Sequence, residues 1–202
     1  MSPVVYRIDG TDRLTYVNRA WRTFADHNDG DSVLPPDPRG ARIWDLLGAD
    51  PSTLQIYQTL VTRVRTSRVD VQFAFRCDAP DRVRLMRMTI RGRDNGEVEF
   101  RVDALADRAR APVALLEAGR SRSSDVQVVC GWCKRVRVAD GAWMEVEEAI
   151  HSLGLFTDTY PPALSHGICE RCQEAFTAAL EGSNAHAPVL RPPVSSSGCP
   201  RR

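Results

Sequence analysis

The spacing of apolar positions switches, along the first half of the chain, from a period of two to a helical period and back again. Val4-Val5-Tyr6-Arg7-Ile8-Asp9 and Leu14-Thr15-Tyr16-Val17-Asn18 read as two short strands, and Gly10-Thr11-Asp12-Arg13 between them has the composition of a hairpin connection. Asn18 can cap a short helix that shows Ala20, Trp21, Phe24 and Ala25 on one side. Residues 27–40, with Gly30, Pro35, Pro36, Pro38 and Gly40, sustain neither period and read as loop. Ile43-Trp44-Asp45-Leu46-Leu47 gives a helical turn. Asp50-Pro51-Ser52 then opens a longer helix in which Tyr57, Leu60, Val61 and Val64 form one apolar stripe, suited to packing on a sheet. Alternation returns at Val69, Val71, Phe73, Phe75 and Cys77, in Arg84-Leu85-Met86-Arg87-Met88-Thr89-Ile90, and at Val98, Phe100 and Val102. Asp78-Ala79-Pro80-Asp81 and Asp94-Asn95-Gly96 mark the turns.

Beyond residue 106 the pattern breaks. Residues 107–125 read as a linker with one helical turn at 113–117, residues 126–182 as a second unit, and residues 183–202, rich in proline and serine, as a disordered tail. In the second unit Trp143, Val146, Ile150 and Leu153 recur at helical spacing, as do Ala175, Phe176, Ala179 and Leu180, which predicts a small, mainly helical domain. The chain is thus expected to be α+β, with domains at 1–106 and 126–182.

Charge narrows the function classes. The 202 residues carry 27 basic and 26 acidic side chains, a formal charge of +1, and Lys134 is the only lysine. Neither half has a basic excess of the kind that drives binding to phosphate backbones, so nucleic acid is not expected as a partner. Arg82, Arg84, Arg87, Arg91 and Arg93 read as a solvated outer sheet face rather than an anion site. No stretch approaches the ~20 apolar residues that cross a bilayer, and the amino terminus lacks a signal peptide's basic and apolar regions. The expectation is a cytoplasmic protein without a membrane partner.

The arrangement of two strands, short helices and three strands, with Ile8-Asp9 and Tyr16-Val17-Asn18-Arg19-Ala20-Trp21 near its start, resembles the PAS domain family over residues 1–106. The resemblance implies a five-stranded antiparallel sheet that cups its helices, a sensing or protein-interaction role, and dimerisation through this half. It also makes Tyr57, Leu60, Phe73, Phe75, Met86, Met88 and Phe100 candidate lining for a small-molecule pocket. Large apolar residues at such spacing are most simply core. The resemblance speaks against flavin photochemistry and haem, because residues 40–64 contain no cysteine and residues 51–66 no histidine. His27 reads as a solvated loop side chain, Cys77 as a small buried hydrophobe and Cys199 as an exposed tail thiol.

The remaining four cysteines carry the clearest chemistry. Cys130-Gly131-Trp132-Cys133 and Cys169-Glu170-Arg171-Cys172 are two Cys-x2-Cys turns, and folded together they offer the four soft donors that tetrahedral zinc prefers. A closed four-thiolate shell leaves no open position, so the ion's role is expected to be structural, and two helices are expected to sandwich the turns. Four thiolates and one Zn2+ leave a formal charge of about −2, which Lys134, Arg135 and Arg171 could offset. His166 could ligate in place of a cysteine or brace a thiolate through its ring; four cysteines already complete the tetrahedron, so the bracing role is preferred.

Cys-x-x-Cys-Lys-Arg, Trp143-x-x-Val146-Glu147 and Ser165-His166-Gly167-Ile168-Cys169-x-x-Cys172 together resemble a cysteine-rich module found at the ends of bacterial sensor and response-regulator proteins. Glu170 stands where that module commonly has proline. The two resemblances together imply a non-catalytic bacterial signalling protein with an unidentified protein partner. Phosphate-loop, nucleophile-elbow and metalloprotease motifs are absent from the sequence. The alternative is a thiol redox switch or oxidoreductase. Thioredoxin-type sites, however, place tryptophan before the first cysteine, whereas Trp132 lies between the two.

Overall fold

In a computed structural model of the chain, the two amino-terminal runs pair antiparallel as β1 (Val4–Ile8) and β2 (Leu14–Val17). The structure describes residues 2–26, 37–46, 51–117, 119–155 and 160–180; residues 27–36, read as loop and holding His27, and residues 183–202, read as tail and holding Cys199, lie outside the described residues. Asp9 organises the hairpin turn, its Oδ1 accepting from the amides of Thr11 (2.8 Å) and Arg13 (3.0 Å). Asn18 caps α1 (Arg19–Asp26): its Oδ1 accepts from the amide of Trp21 at 3.0 Å, while its Nδ2 donates to the carbonyl of Pro3 at 2.8 Å. One side chain thereby starts the helix and holds it to β1.

After α2 (Ile43–Leu46), α3 (Pro51–Ser67) buries the expected stripe, with Leu60, Val61 and Val64 fully enclosed. Arg65 fastens this helix to the hairpin by an ion pair to Asp12 (2.8 Å) and a hydrogen bond to the carbonyl of Asp9 (2.6 Å). The strands β3 (Val71–Arg76), β4 (Arg82–Gly92) and β5 (Val98–Ala109) complete a five-stranded sheet, antiparallel throughout, in the order β2-β1-β5-β4-β3. A Cβ at Gly92 would stand 2.4 Å from the carbonyl oxygen of Val64, so only glycine lets α3 lie this close to the end of β4.

The second half departs from expectation in four places. β5 runs to Ala109, into the stretch read as linker, because pairing with β4 continues to Arg82 although its last residues show no apolar alternation. Farther along that stretch Val113 and Leu115 are buried with Val129, Val136, Val146 and Ile150, so these residues pack rather than dangle. The unit expected to be mainly helical contains a four-stranded sheet: β6 (Val126–Cys130), β7 (Val136–Arg137), β8 (Trp143–Met144) and β9 (Ala163–Gly167), in the order β8-β7-β6-β9. Strands of two residues leave no periodic signal, and Trp143, which shares helical spacing with Val146 and Ile150, lies on β8.

Its helices are α4 (Val146–Ser152) and α5 (Glu170–Leu180). They do not sandwich the cysteine turns. α4 packs in the second core, whereas Phe176 of α5 and all four paired cysteines belong to the first core, together with Leu60, Phe73 and Phe100. The apolar stripe of α4 is matched by the valines of β6 and β7, and this draws it away from the sulfurs. Among the described residues no helix is long and apolar enough to cross a membrane.

The contact at Gly92 yields a direct check. Gly92→Ala should lower the free energy of unfolding by about 1–3 kcal/mol through overpacking against the α3 backbone, read from urea denaturation midpoints.

Candidate metal centre

β6 and β9 pair parallel, with Cys130 opposite Gly167, so both strands end at the same edge. Each then turns into its cysteine pair. In the first turn Lys134 adopts a left-handed conformation (φ 61°), its amide bonds the carbonyl of Cys130 at 3.0 Å, and the amide of Cys130 bonds the carbonyl of Arg135 at 2.7 Å. The second pair opens α5: the amide of Gln173 donates to the carbonyl of Cys169 at 3.0 Å, which places Cys169 at the helix start and Cys172 in its first turn. There the helix dipole favours a thiolate. The amide of Gly131 donates to the carbonyl of Gly167 at 2.9 Å and stitches the two turns together.

The four Sγ atoms lie within 4.8 Å of one another, and no cysteine of the four is more than 4 % exposed. Cys133 and Cys169 approach to 3.6 Å across the two turns. Zn–S bonds of about 2.3 Å in a tetrahedron put sulfurs roughly 3.8 Å apart, whereas a disulfide requires about 2.05 Å. The four thiols are free, and their spacing fits a metal ion such as zinc.

Charge supports the same fit. Hydrogen bonds from Cys133, Cys169 and Cys172 push the Cys130 thiol far below its ordinary pKa, while Cys133 and Cys172 are pushed above theirs, foremost by their bonds to Cys130. At Cys169 the bond to Cys130 works upward, but those to Cys133 and Cys172 outweigh it and leave the thiol lowered to about 7. Without a cation the sulfurs ionise at one another's expense; a dication removes that competition.

Arg135 lies beside this charge. Burial works against its guanidinium, but Glu145 and the sulfurs of Cys133 and Cys169 outweigh burial and raise its pKa. Lys134 donates instead to the carbonyl of Gly131 at 3.0 Å, bracing the turn. His166 is exposed on β9 and is not one of the four grouped ligands. Cys77, just past β3, is half-buried rather than fully buried, and burial raises the pKa of its thiol.

Two features that sequence reasoning missed tie the centre to the first sheet. Arg76, 4 % exposed, pairs with Asp78 and Glu145, and Glu145 also accepts from Arg135 at 3.1 Å. Asp78 further receives Arg110 at 3.2 Å. Burial would lower the pKa of Arg76, but Asp78 and Glu145 more than offset it. Arg76 and Glu145 are 69 positions apart, so no local signal could have joined them. The second feature is Trp132, whose ring centroid lies 5.2 Å from that of Tyr57, 5.4 Å from Phe73 and 4.3 Å from Phe176.

Trp132 thus meets two of the candidate pocket residues. Leu60, Phe73, Met86, Met88 and Phe100 are buried, and Tyr57 and Phe75 pack half-buried against the same core. The groove between α3 and α5, lined by Gln55, Gln58, Thr59, Arg63 and Leu180 among others, is open and involves none of the seven. Of the five arginines read as a solvated face, Arg82 pairs with Asp107, Arg91 with Asp70 and Arg93 with Glu99. No protein-family model matches the chain, and no curated protein matches it.

Burial separates the ion pairs energetically. Asp78→Ala should cost about 3–5 kcal/mol in urea denaturation, because it strips a carboxylate from buried Arg76 and Arg110. Arg91→Ala, which breaks an exposed pair, should cost less than about 1 kcal/mol.

Proposed function

We propose that this chain is a non-catalytic signalling protein in which a PAS-like sensing or protein-interaction fold is joined to a structural zinc centre formed by Cys130, Cys133, Cys169 and Cys172. The observation that carries the reading is the convergence of four buried sulfurs within 4.8 Å at the ends of two parallel strands. The chemistry such an ion would supply is cross-linking: it would join the end of β6 to the start of α5, and the four thiolates would occupy its tetrahedral positions, leaving none for water or substrate. The PAS-like half of the reading is supported by the five-stranded antiparallel sheet with α1, α2 and α3 inserted between its second and third strands. The output would pass to a protein partner in a bacterial cytoplasm.

Burial speaks against the redox reading. A thiol that exchanges with a partner's disulfide must reach it, and these sulfurs are enclosed by Trp132, Phe176 and the first core. Native mass spectrometry of the full chain expressed with zinc should give one zinc per chain, with four thiols protected from alkylation until a chelator is added. Four freely reactive thiols in protein that takes up no zinc would overturn the metal reading, and rapid turnover of a disulfide substrate would restore the oxidoreductase.

A further inference from the structure

The contacts of Trp132 and Glu145 go beyond what holding an ion requires. β3 is an edge strand: β4 pairs with one side, and on the other the amide of Arg76 donates to the carbonyl of Trp132 at 2.6 Å, with α5 packed along the strand. An edge strand left open presents unpaired backbone groups and needs a cover. Here the first cysteine turn covers the Arg76 end of the edge, and α5 packs along the rest. Trp132 sits between its two cysteines, 3 % exposed, with its ring against Tyr57 of α3, Phe73 of β3 and Phe176 of α5. Glu145 adds a second tie, holding Arg76 of β3 and Arg135 next to the turn at once.

We propose that the four-cysteine centre is a latch on the first sheet: while it holds its ion, Trp132 stays seated against α3 and β3 and the outer edge of β3 is covered, and loss of the ion uncovers that edge. The inference rests on the metal reading above and adds to it a metal-controlled surface. The opening is local. β1, β4 and β5 are paired on both sides, and the residues that hold them together, Ile8, Ile90, Val98 and Phe100, are fully buried. Within this five-stranded sheet, among the described residues, β3 alone combines one strand partner with a bond to a cysteine turn.

Hydrogen–deuterium exchange of the full zinc-loaded chain, before chelation, after chelation and after zinc is restored, tests the latch, with metal content measured in parallel. Chelation should speed exchange at amides 71–76 and 130–137 by about tenfold or more and leave amides 4–8 and 98–102 unchanged, and zinc should reverse the change. In zinc-loaded Glu145→Gln, with the ion retained, amides 71–76 should exchange several-fold faster than in the parent. Loss of metal with changes confined to 126–180 would overturn the latch and leave the metal site standing. Equal loss of protection in all five strands would also overturn it, since the ion would then support the whole fold. A chain that takes up no zinc would overturn the metal reading and the latch with it.

Discussion

Four sulfur atoms gathered within 4.8 Å and shielded from water cannot all carry charge unless a cation sits among them, and the surrounding chain is arranged to meet that condition. The parallel register of β6 and β9 is what brings the sulfurs together: with Cys130 opposite Gly167, both turns leave the sheet side by side. An antiparallel pairing would have sent them to opposite ends. The start of α5 contributes its dipole at Cys169 and Cys172, and Arg135 contributes a guanidinium that Glu145 holds in place. Each element lowers the free energy of a negatively charged sulfur, and none offers a route for solvent.

The same turns close the core of the first sheet. A solitary buried guanidinium costs several kcal/mol in lost hydration, yet Arg76 is enclosed, because Asp78 and Glu145 flank it and Arg135 and Arg110 extend the network on either side. Such a cluster specifies position: a carboxylate from the second half must return to one place for Arg76 to be satisfied. The aromatic contacts of Trp132 add area without direction, and the ion network adds direction. The exposed pairs of the outer face, open to water and salt, do neither to a comparable extent.

What was legible in the sequence follows from the range of each interaction. Local signals worked: Asn18 as a cap, the stripe through Leu60, Val61 and Val64, and the alternation of the strands that became β3 and β4 all act within a few residues. The cysteine turns were legible because their spacing encodes ligand geometry. Hidden were the two-residue strands β7 and β8, too short for a period, and the helical spacing of Trp143, which is coincidental. The destination of Trp132 was hidden too, since a tryptophan inside a Cys-x2-Cys turn says nothing about what it will touch. His166 sits in a motif beside Cys169, but β9 turns its side chain to solvent, and strand facing in so polar a segment has no apolar alternation to reveal it.

These placements constrain how the sulfurs could ever take part in chemistry. Cys133 and Cys169 are covered by Trp132 and the first turn of α5, so an oxidant, a competing metal ligand or a partner thiol can reach them only after one of those elements moves. Moving the turn breaks the bond from Arg76 to the Trp132 carbonyl, and moving α5 withdraws Phe176 from Phe73. In either case the disturbance arrives at β3. Chemistry at the centre and a change at the edge of the first sheet are therefore one event in this fold, and the sheet registers the state of sulfurs that it does not itself supply.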